Sequence, residues 1–114
     1  MTVLELDDQL NRLIIHGESV AAFQKFYAED VVAQENDEPE RVGRDAWMRA
    51  RQKLEKNIIK FDARVLAHAA NGDTSFSEWE YNLELEGMGA MRIVQVAVRR
   101  WKDGQVVRER FYHK

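Results

Sequence analysis

The hydrophobic residues of this chain change their spacing near residue 57. Up to that point they recur every three or four residues, as in helices, and from about residue 58 they alternate with polar residues. Short glycine-containing turns divide the alternating part into four strands, at about 58–70, 74–86, 90–101 and 105–113. This pattern predicts helices followed by an antiparallel meander.

The first half of the chain is expected to form three helices. Thr2 and Glu5 have the spacing of a capping box at the start of the first helix. Ser19 is the expected cap of the second helix, and Asp45 that of the third. A short strand over 31–34 is predicted between the second and third helices.

Length and composition restrict the class of protein. With 114 residues, 45% of them hydrophobic and 32% charged, the chain is expected to form one globular domain over 1–114. The net charge is −3 and the basic residues are interleaved with acidic ones, so no nucleic-acid partner is expected. The absence of cysteine, an acidic start and the lack of a long apolar run predict a cytoplasmic protein without a membrane partner.

The predicted sheet has two different faces. If the last two turns are three-residue loops, odd-numbered residues of the last three strands share the inner face. That face would hold Trp79, Tyr81, Leu83, Leu85, Ile93, Gln95, Ala97, Trp101, Glu109 and Phe111, extended by Phe61, Ala63, Val65 and Ala67. A two-residue turn at Asp103 and Gly104 would reverse the last strand instead.

The outer face is expected to carry charged residues around an apolar centre. Glu84 is predicted opposite Arg92, and the centre would hold Val94, Val96, Val98, Val106 and Tyr112. An apolar patch with a charged rim is typical of a subunit interface, so a two-fold homodimer through this face is predicted. The alternative is a partly exposed sheet surface.

The segments FYAEDVVAQEN, GRDAW and QVAVRRWKDGQVVRERFYHK resemble the NTF2-like superfamily, and within it the SnoaL-like group. The resemblance spans nearly the whole chain and implies an α+β fold. Three N-terminal helices would pack on a curved antiparallel sheet to form a cone-shaped half-barrel around one deep apolar pocket. Ketosteroid isomerases, polyketide cyclases and limonene epoxide hydrolases belong to the same superfamily.

The resemblance implies which positions are catalytic in related enzymes, but it does not identify one reaction for this chain. Glu35 falls where ketosteroid isomerases keep their aspartate base, whereas the positions of their two oxyanion donors fall at about Leu10 and Ala97. Without those donors steroid isomerisation is not expected. The strands contain no Arg-x-Asp pair of the epoxide hydrolase kind, and Glu109 is the nearest substitute for the inward aspartate of the cyclases.

The candidate catalytic residues are therefore Glu35 and Glu109. Glu35 could instead be a solvated loop acid. Glu109 is predicted opposite Ala97, and its alternative role is an internal contact with Arg99 or Gln95. The candidate ligand-binding residues are mostly aromatic, with core packing as their alternative role: Tyr27, Trp47, Phe61, Trp79, Tyr81, Gln95 and Phe111.

The predicted function is binding of a small apolar organic molecule, with cofactor-free isomerisation or cyclisation by carboxylate acid/base chemistry. The alternative is a non-catalytic ligand-binding or dimeric assembly module, and a hydrolase is a weaker rival. No metal is expected because the three histidines lack ligand spacing, and no nucleotide cofactor is expected because no phosphate-binding motif occurs.

Overall fold

A computed structural model describes residues 1–114. Three helices and six strands follow one another in the order α1 Val3–Ile15, α2 Ser19–Phe26, β1 Tyr27–Glu35, β2 Arg41–Val42, α3 Arg44–Glu55, β3 Ile58–Asn71, β4 Thr74–Leu85, β5 Gly89–Lys102 and β6 Gln105–His113. The strands form one sheet in the order β2-β1-β6-β5-β4-β3. The sheet is curved and open, and the helices cover one face, so the predicted α+β half-barrel is confirmed. No helix has the length and apolar character needed to cross a membrane.

The helix starts agree only partly with the expected caps. The capping box of α1 is confirmed, since the Glu5 amide donates to Thr2 Oγ1 at 3.1 Å and the Thr2 amide donates to Glu5 Oε1 at 3.1 Å. Ser19 does not cap α2. It is the first residue of that helix, and its hydroxyl donates to Glu55 at 2.7 Å, which ties α2 to α3.

The predicted cap at Asp45 is also wrong. Gly43 takes the cap position of α3, and its φ of +108° favours glycine over any residue with a side chain. Asp45 lies in the first turn, where its negative charge is favourable beside the helix N-terminus.

Strand β1 is longer than the predicted 31–34 and has two neighbours. It pairs antiparallel with β2 and parallel with β6, where Ala33 lies opposite Glu109 and Glu35 lies opposite Phe111. The parallel pairing joins strands that are far apart in sequence, so the period of the residues could not indicate it.

The last hairpin combines a short turn with a bulge. Lys102 pairs with Gln105 across a two-residue turn, and Asp103 and Gly104 have φ of 52° and 78°, as this type of tight turn requires. The three-residue loop expected here is therefore wrong. A bulge at Val107 then adds one residue to β6, which restores the expected parity further along the strand.

The bulge corrects two predictions about β6. Val106 precedes it, is fully buried opposite Trp101, and does not belong to the outer patch. Glu109 follows it and faces inward as expected, but its partner on β5 is Arg99 and not Ala97.

A second bulge, at Leu66 in β3, corrects the predicted inner position of Ala67. Ala67 pairs with Glu78 and is exposed, whereas the next residue, His68, turns inward opposite Ser77. An extra residue exchanges the two faces of a strand because side chains alternate with period two.

The outer face holds a different ion pair from the predicted one. Glu84 lies opposite Ala90, and Arg92 reaches Glu80 at 2.8 Å. Glu80 also accepts hydrogen bonds from Asn82 and Arg64, at 3.0 and 3.1 Å. The hydrogen bond from Arg92, followed by that from Asn82, lowers the pKa of Glu80 to about 2.

A buried polar group, which we call the Arg99 cluster, connects the helices to the sheet. It consists of Asp7 and Asn11 on α1, Tyr27 on β1, Trp47 on α3, His68 on β3, Arg99 on β5 and Glu109 on β6. Arg99 and Glu109 are each 1% exposed and Asp7 is 0% exposed. Every buried side-chain nitrogen and oxygen of the protein has a hydrogen-bond partner.

Arg99 lies at the centre of this cluster. Its Nε donates to Glu109 Oε2 at 2.6 Å, and its Nη1 donates to Asp7 Oδ1 at 2.9 Å and to Asn11 Oδ1 at 2.6 Å. Burial alone disfavours the charged guanidinium, but the negative charges around it, including Glu109 and Asp7, outweigh burial and raise the pKa of Arg99 well above its usual value.

The carboxylates of Glu109 and Asp7 form further hydrogen bonds with side chains that Arg99 does not reach. Glu109 accepts from the Tyr27 hydroxyl through Oε2 and from Trp47 Nε1 at 3.0 Å through Oε1. Asp7 Oδ2 lies 2.7 Å from His68 Nε2. Burial acts to raise the pKa of Asp7, but the charge and hydrogen bond of Arg99, with smaller contributions from other hydrogen bonds, leave it lowered.

Arg99→Met is expected to lower the free energy of unfolding by about 3–5 kcal/mol, because it leaves two carboxylates buried without their cation. Arg100→Met is the matched control, since Arg100 is the exposed neighbour on the outer face and forms no ion pair. Urea unfolding of both variants measures the difference. Adding Asp7→Asn and Glu109→Gln to Arg99→Met should recover part of the loss. Equal midpoints for Arg99→Met and Arg100→Met would contradict a structural role for the cluster.

Candidate functional site

A cavity of about 380 Å³ lies between α3 and the concave face of the sheet. Most of its lining is apolar, including the aromatic rings of Trp47, Phe61, Tyr81 and Phe111. The volume lies within the range of about 300–1,000 Å³ that is typical of small-molecule sites. Residues of α3 form one side of this space, and residues of β3, β4, β5 and β6 form the other.

A second concavity, of about 820 Å³, lies across Lys60, Asn82, Glu84 and Arg92. It is a groove that is more open to solvent, and four of its nine lining residues are hydrophobic, compared with eleven of sixteen in the smaller cavity. Ligand sites are enclosed and mostly apolar, so we assign the candidate site to the smaller cavity under α3.

Five polar side chains reach the cavity. Glu35, Gln95 and His113 come from the three adjacent strands β1, β5 and β6, and Arg41 and Arg51 come from β2 and α3. Gln95 lies directly opposite His113 in the sheet. Four of these side chains therefore come from the sheet and one comes from α3, and the rest of the cavity lining is apolar.

Glu35 lies at the mouth of the cavity. Its side chain is 45% exposed, and its Oε2 is 3.7 Å from His113 Nε2. The carboxylate is thus neither a fully solvated loop acid nor a buried one. It faces the cavity while keeping contact with water.

The structure brings six of the nine predicted site residues into this cavity lining: Glu35, Trp47, Phe61, Tyr81, Gln95 and Phe111. The other three, Tyr27, Trp79 and Glu109, lie behind the lining. Tyr27 and Glu109 belong to the Arg99 cluster, and Glu109 contacts the cavity wall only through the Trp47 indole. The roles of all nine in binding or catalysis stay predictions.

Trp79 and Tyr81 form a pair of stacked rings at the back of the cavity. Their centroids are 5.3 Å apart and their planes differ by 8°, and Trp79 Nε1 donates to Ser77 Oγ at 2.9 Å. Trp79 is fully buried and supports Tyr81, which lines the cavity. Burial raises the pKa of Tyr81, so its hydroxyl stays protonated at neutral pH and can donate a hydrogen bond.

Sequence reasoning missed several polar residues near the site. Asp7 was one, although it lies within the apolar stripe of α1, between Leu6 and Leu10, and a polar residue in such a stripe signals a buried partner. Arg99 was expected only as one of two possible partners of Glu109, and the structure shows that pair at 2.6 Å. Arg41 and Arg51 gave no usable signal, because charged residues on a helix or an edge strand are ordinarily solvated.

The cavity and the Arg99 cluster do not assemble a metal site. No group of three or more histidine, aspartate or glutamate side chains is placed to hold a metal ion.

Comparisons with known proteins agree with the fold. The family model described as a SnoaL-like domain matches residues 10–109. An NTF2-like protein of Burkholderia thailandensis superposes with a TM-score of 0.87 at 14% identity, over 100% of this chain and 92% of that one. A candidate SnoaL-like polyketide cyclase of Mesorhizobium loti gives 0.83 at 22% identity, over 98% of this chain and 99% of that one.

An LEH-like epoxide hydrolase of M. tuberculosis also has this fold, with a TM-score of 0.81 at 13% identity over 98% of this chain and 82% of that one. At such low identities the likeness shows the fold alone. A search of curated proteins finds no significant match. The family model covers most of the sequence, and the chain therefore belongs to the SnoaL-like domain family within the NTF2-like fold.

Proposed function

We propose that the chain binds a small, largely apolar organic molecule in the cavity under α3, and that Glu35 acts on this molecule as a general acid or base. The observation that supports the proposal is an enclosed, mainly apolar cavity with a carboxylate at its mouth. Apolar walls provide binding energy, and a few convergent polar groups orient the ligand.

The cavity supports a reaction without a cofactor. Glu35 and His113 are close enough that a small rotation brings them into hydrogen-bond contact, and such a pair can take a proton from one position of a ligand and return it to another. Gln95, which is the cross-strand neighbour of His113, and the Tyr81 hydroxyl are neutral donors on the same sheet, where they can orient a carbonyl oxygen. Proton transfer, isomerisation and cyclisation all fit this set of groups.

The absence of strong oxyanion donors argues against steroid isomerisation. Leu10 and Ala97 occupy the positions where the resemblance places those donors, and both side chains are apolar and buried. Glu109 is also poorly placed for chemistry because Arg99, Tyr27 and Trp47 already occupy its oxygens. We therefore assign Glu109 a positioning role and Glu35 the acid/base role.

Filling the cavity should abolish binding. Ala50→Trp, which places an indole at a lining position of α3, is expected to weaken binding of methyl naphthyl ketone by at least about tenfold, a loss of roughly 1.4 kcal/mol. Ala46→Trp is the matched control because Ala46 is exposed on the same helix. Isothermal titration calorimetry measures both affinities. The cavity is not the binding site if the two variants bind the ketone equally.

Chemistry at Glu35 can be tested with any molecule that native mass spectrometry detects bound to the purified protein. Glu35→Gln is expected to retain the molecule and to slow its conversion by about 10²–10⁴-fold, the usual contribution of a general acid or base. Glu38→Gln is the control, because Glu38 is an exposed acid of the same loop. Wild-type protein that binds the molecule without converting it would favour the alternative of a non-catalytic binding module.

We also propose a two-fold homodimer through the outer sheet face. Helices leave that face uncovered, and Phe76 joins Val94, Val96, Val98 and Tyr112 in an apolar patch that is partly open to water. Burying such a patch between two copies is favourable. Light scattering at micromolar concentration should give twice the chain mass, and Val96→Glu should reduce it to one. Val42→Glu, on the exposed β2, is the control. A wild-type mass of one chain would refute the dimer.

A further inference from the structure

The cavity contains more positive than negative charge. Arg41 and Arg51 both line it, and Glu35 is the one carboxylate that does. The carboxylates of the protein that do form ion pairs reach other cations, and no carboxylate lies within 4.0 Å of either arginine. The two guanidinium groups therefore lack an internal counter-ion.

Arg51 faces the interior of the cavity. It lies four residues after Trp47 on α3, which puts the two side chains on the same face of the helix. Its positive charge also acts on the buried hydroxyls of Tyr27 and Tyr81, where it opposes the larger effect of burial on their pKa. Arg51 is half-buried, and its guanidinium is within electrostatic range of both hydroxyls.

Arg41 is the second arginine of the cavity lining. Its Cζ lies 5.6 Å from the centroid of the Trp47 ring, so the guanidinium stacks over the same indole that separates the cavity from Glu109. Arg41 is the more exposed of the two arginines. The pair therefore extends from the surface to the interior along one wall.

An unpaired guanidinium beside apolar walls is a strong site for a planar anion. Water is partly excluded there, so the charge is less screened than at the surface, and the donor fork of arginine matches a carboxylate with two parallel hydrogen bonds. A neutral apolar ligand would leave both arginines without a partner when it displaced their water.

We infer that the molecule bound in this cavity is an apolar carboxylate, with its anionic group held by Arg51 and Arg41 and its apolar part against Phe61, Tyr81 and Phe111. This inference rests on the proposed function, because it names the class of molecule that the same cavity takes. Glu35 lies on β1, next to the strand that carries Arg41, and its negative charge disfavours an anion near itself, so the carboxylate is directed toward Arg51.

Two probes of the same shape test the inference. Naphthoate and methyl naphthyl ketone share the aromatic ring, and only the first carries a charge. Wild-type protein is expected to bind naphthoate at least about tenfold more tightly than the ketone, as measured by isothermal titration calorimetry at low salt. Arg51→Gln should remove this preference and leave the affinity for the ketone unchanged, which also shows that the variant is folded.

Two further variants sharpen the result. Arg49→Gln removes an exposed arginine from the same helix without touching the cavity, and it should keep the preference for naphthoate. Glu35→Gln removes the one negative group of the lining and should strengthen naphthoate binding.

The outcomes separate the two proposals. Equal binding of the two probes by the wild-type protein, or a preference that survives Arg51→Gln, would overturn the carboxylate inference while the cavity remains a ligand site. If neither probe binds, the proposed function fails and the inference fails with it.

Discussion

The buried guanidinium of Arg99 is the interaction on which the rest of the structure depends. It binds Asp7 on α1 and Glu109 on β6, and Glu109 in turn holds Tyr27 on β1 and Trp47 on α3. Removing three ionic groups from water is unfavourable, and their attraction compensates only when every partner is in place. The cluster therefore contributes less to net stability than to the uniqueness of the arrangement, because any other packing of the helices would leave a buried charge without a partner.

The same cluster forms the support for the cavity wall. Trp47 donates to Glu109 with its indole nitrogen and presents its ring to the cavity, so the position of one wall depends on a carboxylate that the ligand would not touch. Trp79 has the equivalent relation to Tyr81 through ring stacking. A pocket whose walls are held from behind in this way is preformed, which reduces the entropy lost when a ligand binds.

The cavity and the Arg99 cluster behind it differ in how their charged side chains are paired. Behind the wall all charges are paired, whereas inside it two arginines have no partner and one carboxylate lies at the mouth. Arg41 is exposed and Arg51 is half-buried, so both guanidinium groups are hydrated, and a ligand that displaces this water must replace its hydrogen bonds. The charges of the Arg99 cluster are paired, whereas the two arginines of the cavity can still bind an anion. This difference favours the cavity, and not the Arg99 cluster, as the functional site.

The sequence alone determined the order of helices and strands, the positions of the turns and the inner side of most strands, because period and turn chemistry are local properties of the backbone. Glu35, which the family resemblance singled out, and four of the predicted aromatic residues line the cavity, and their roles there stay predictions. The bulges at Leu66 and Val107, the parallel pairing of β1 with β6 and the partner of Glu109 were decided only by the tertiary structure. The parallel pairing and the contact between Arg99 and Asp7 join residues that are far apart, 92 positions in the second case, and no local period contains that information. A bulge shifts the register by one residue, which the alternation of hydrophobic residues does not reveal.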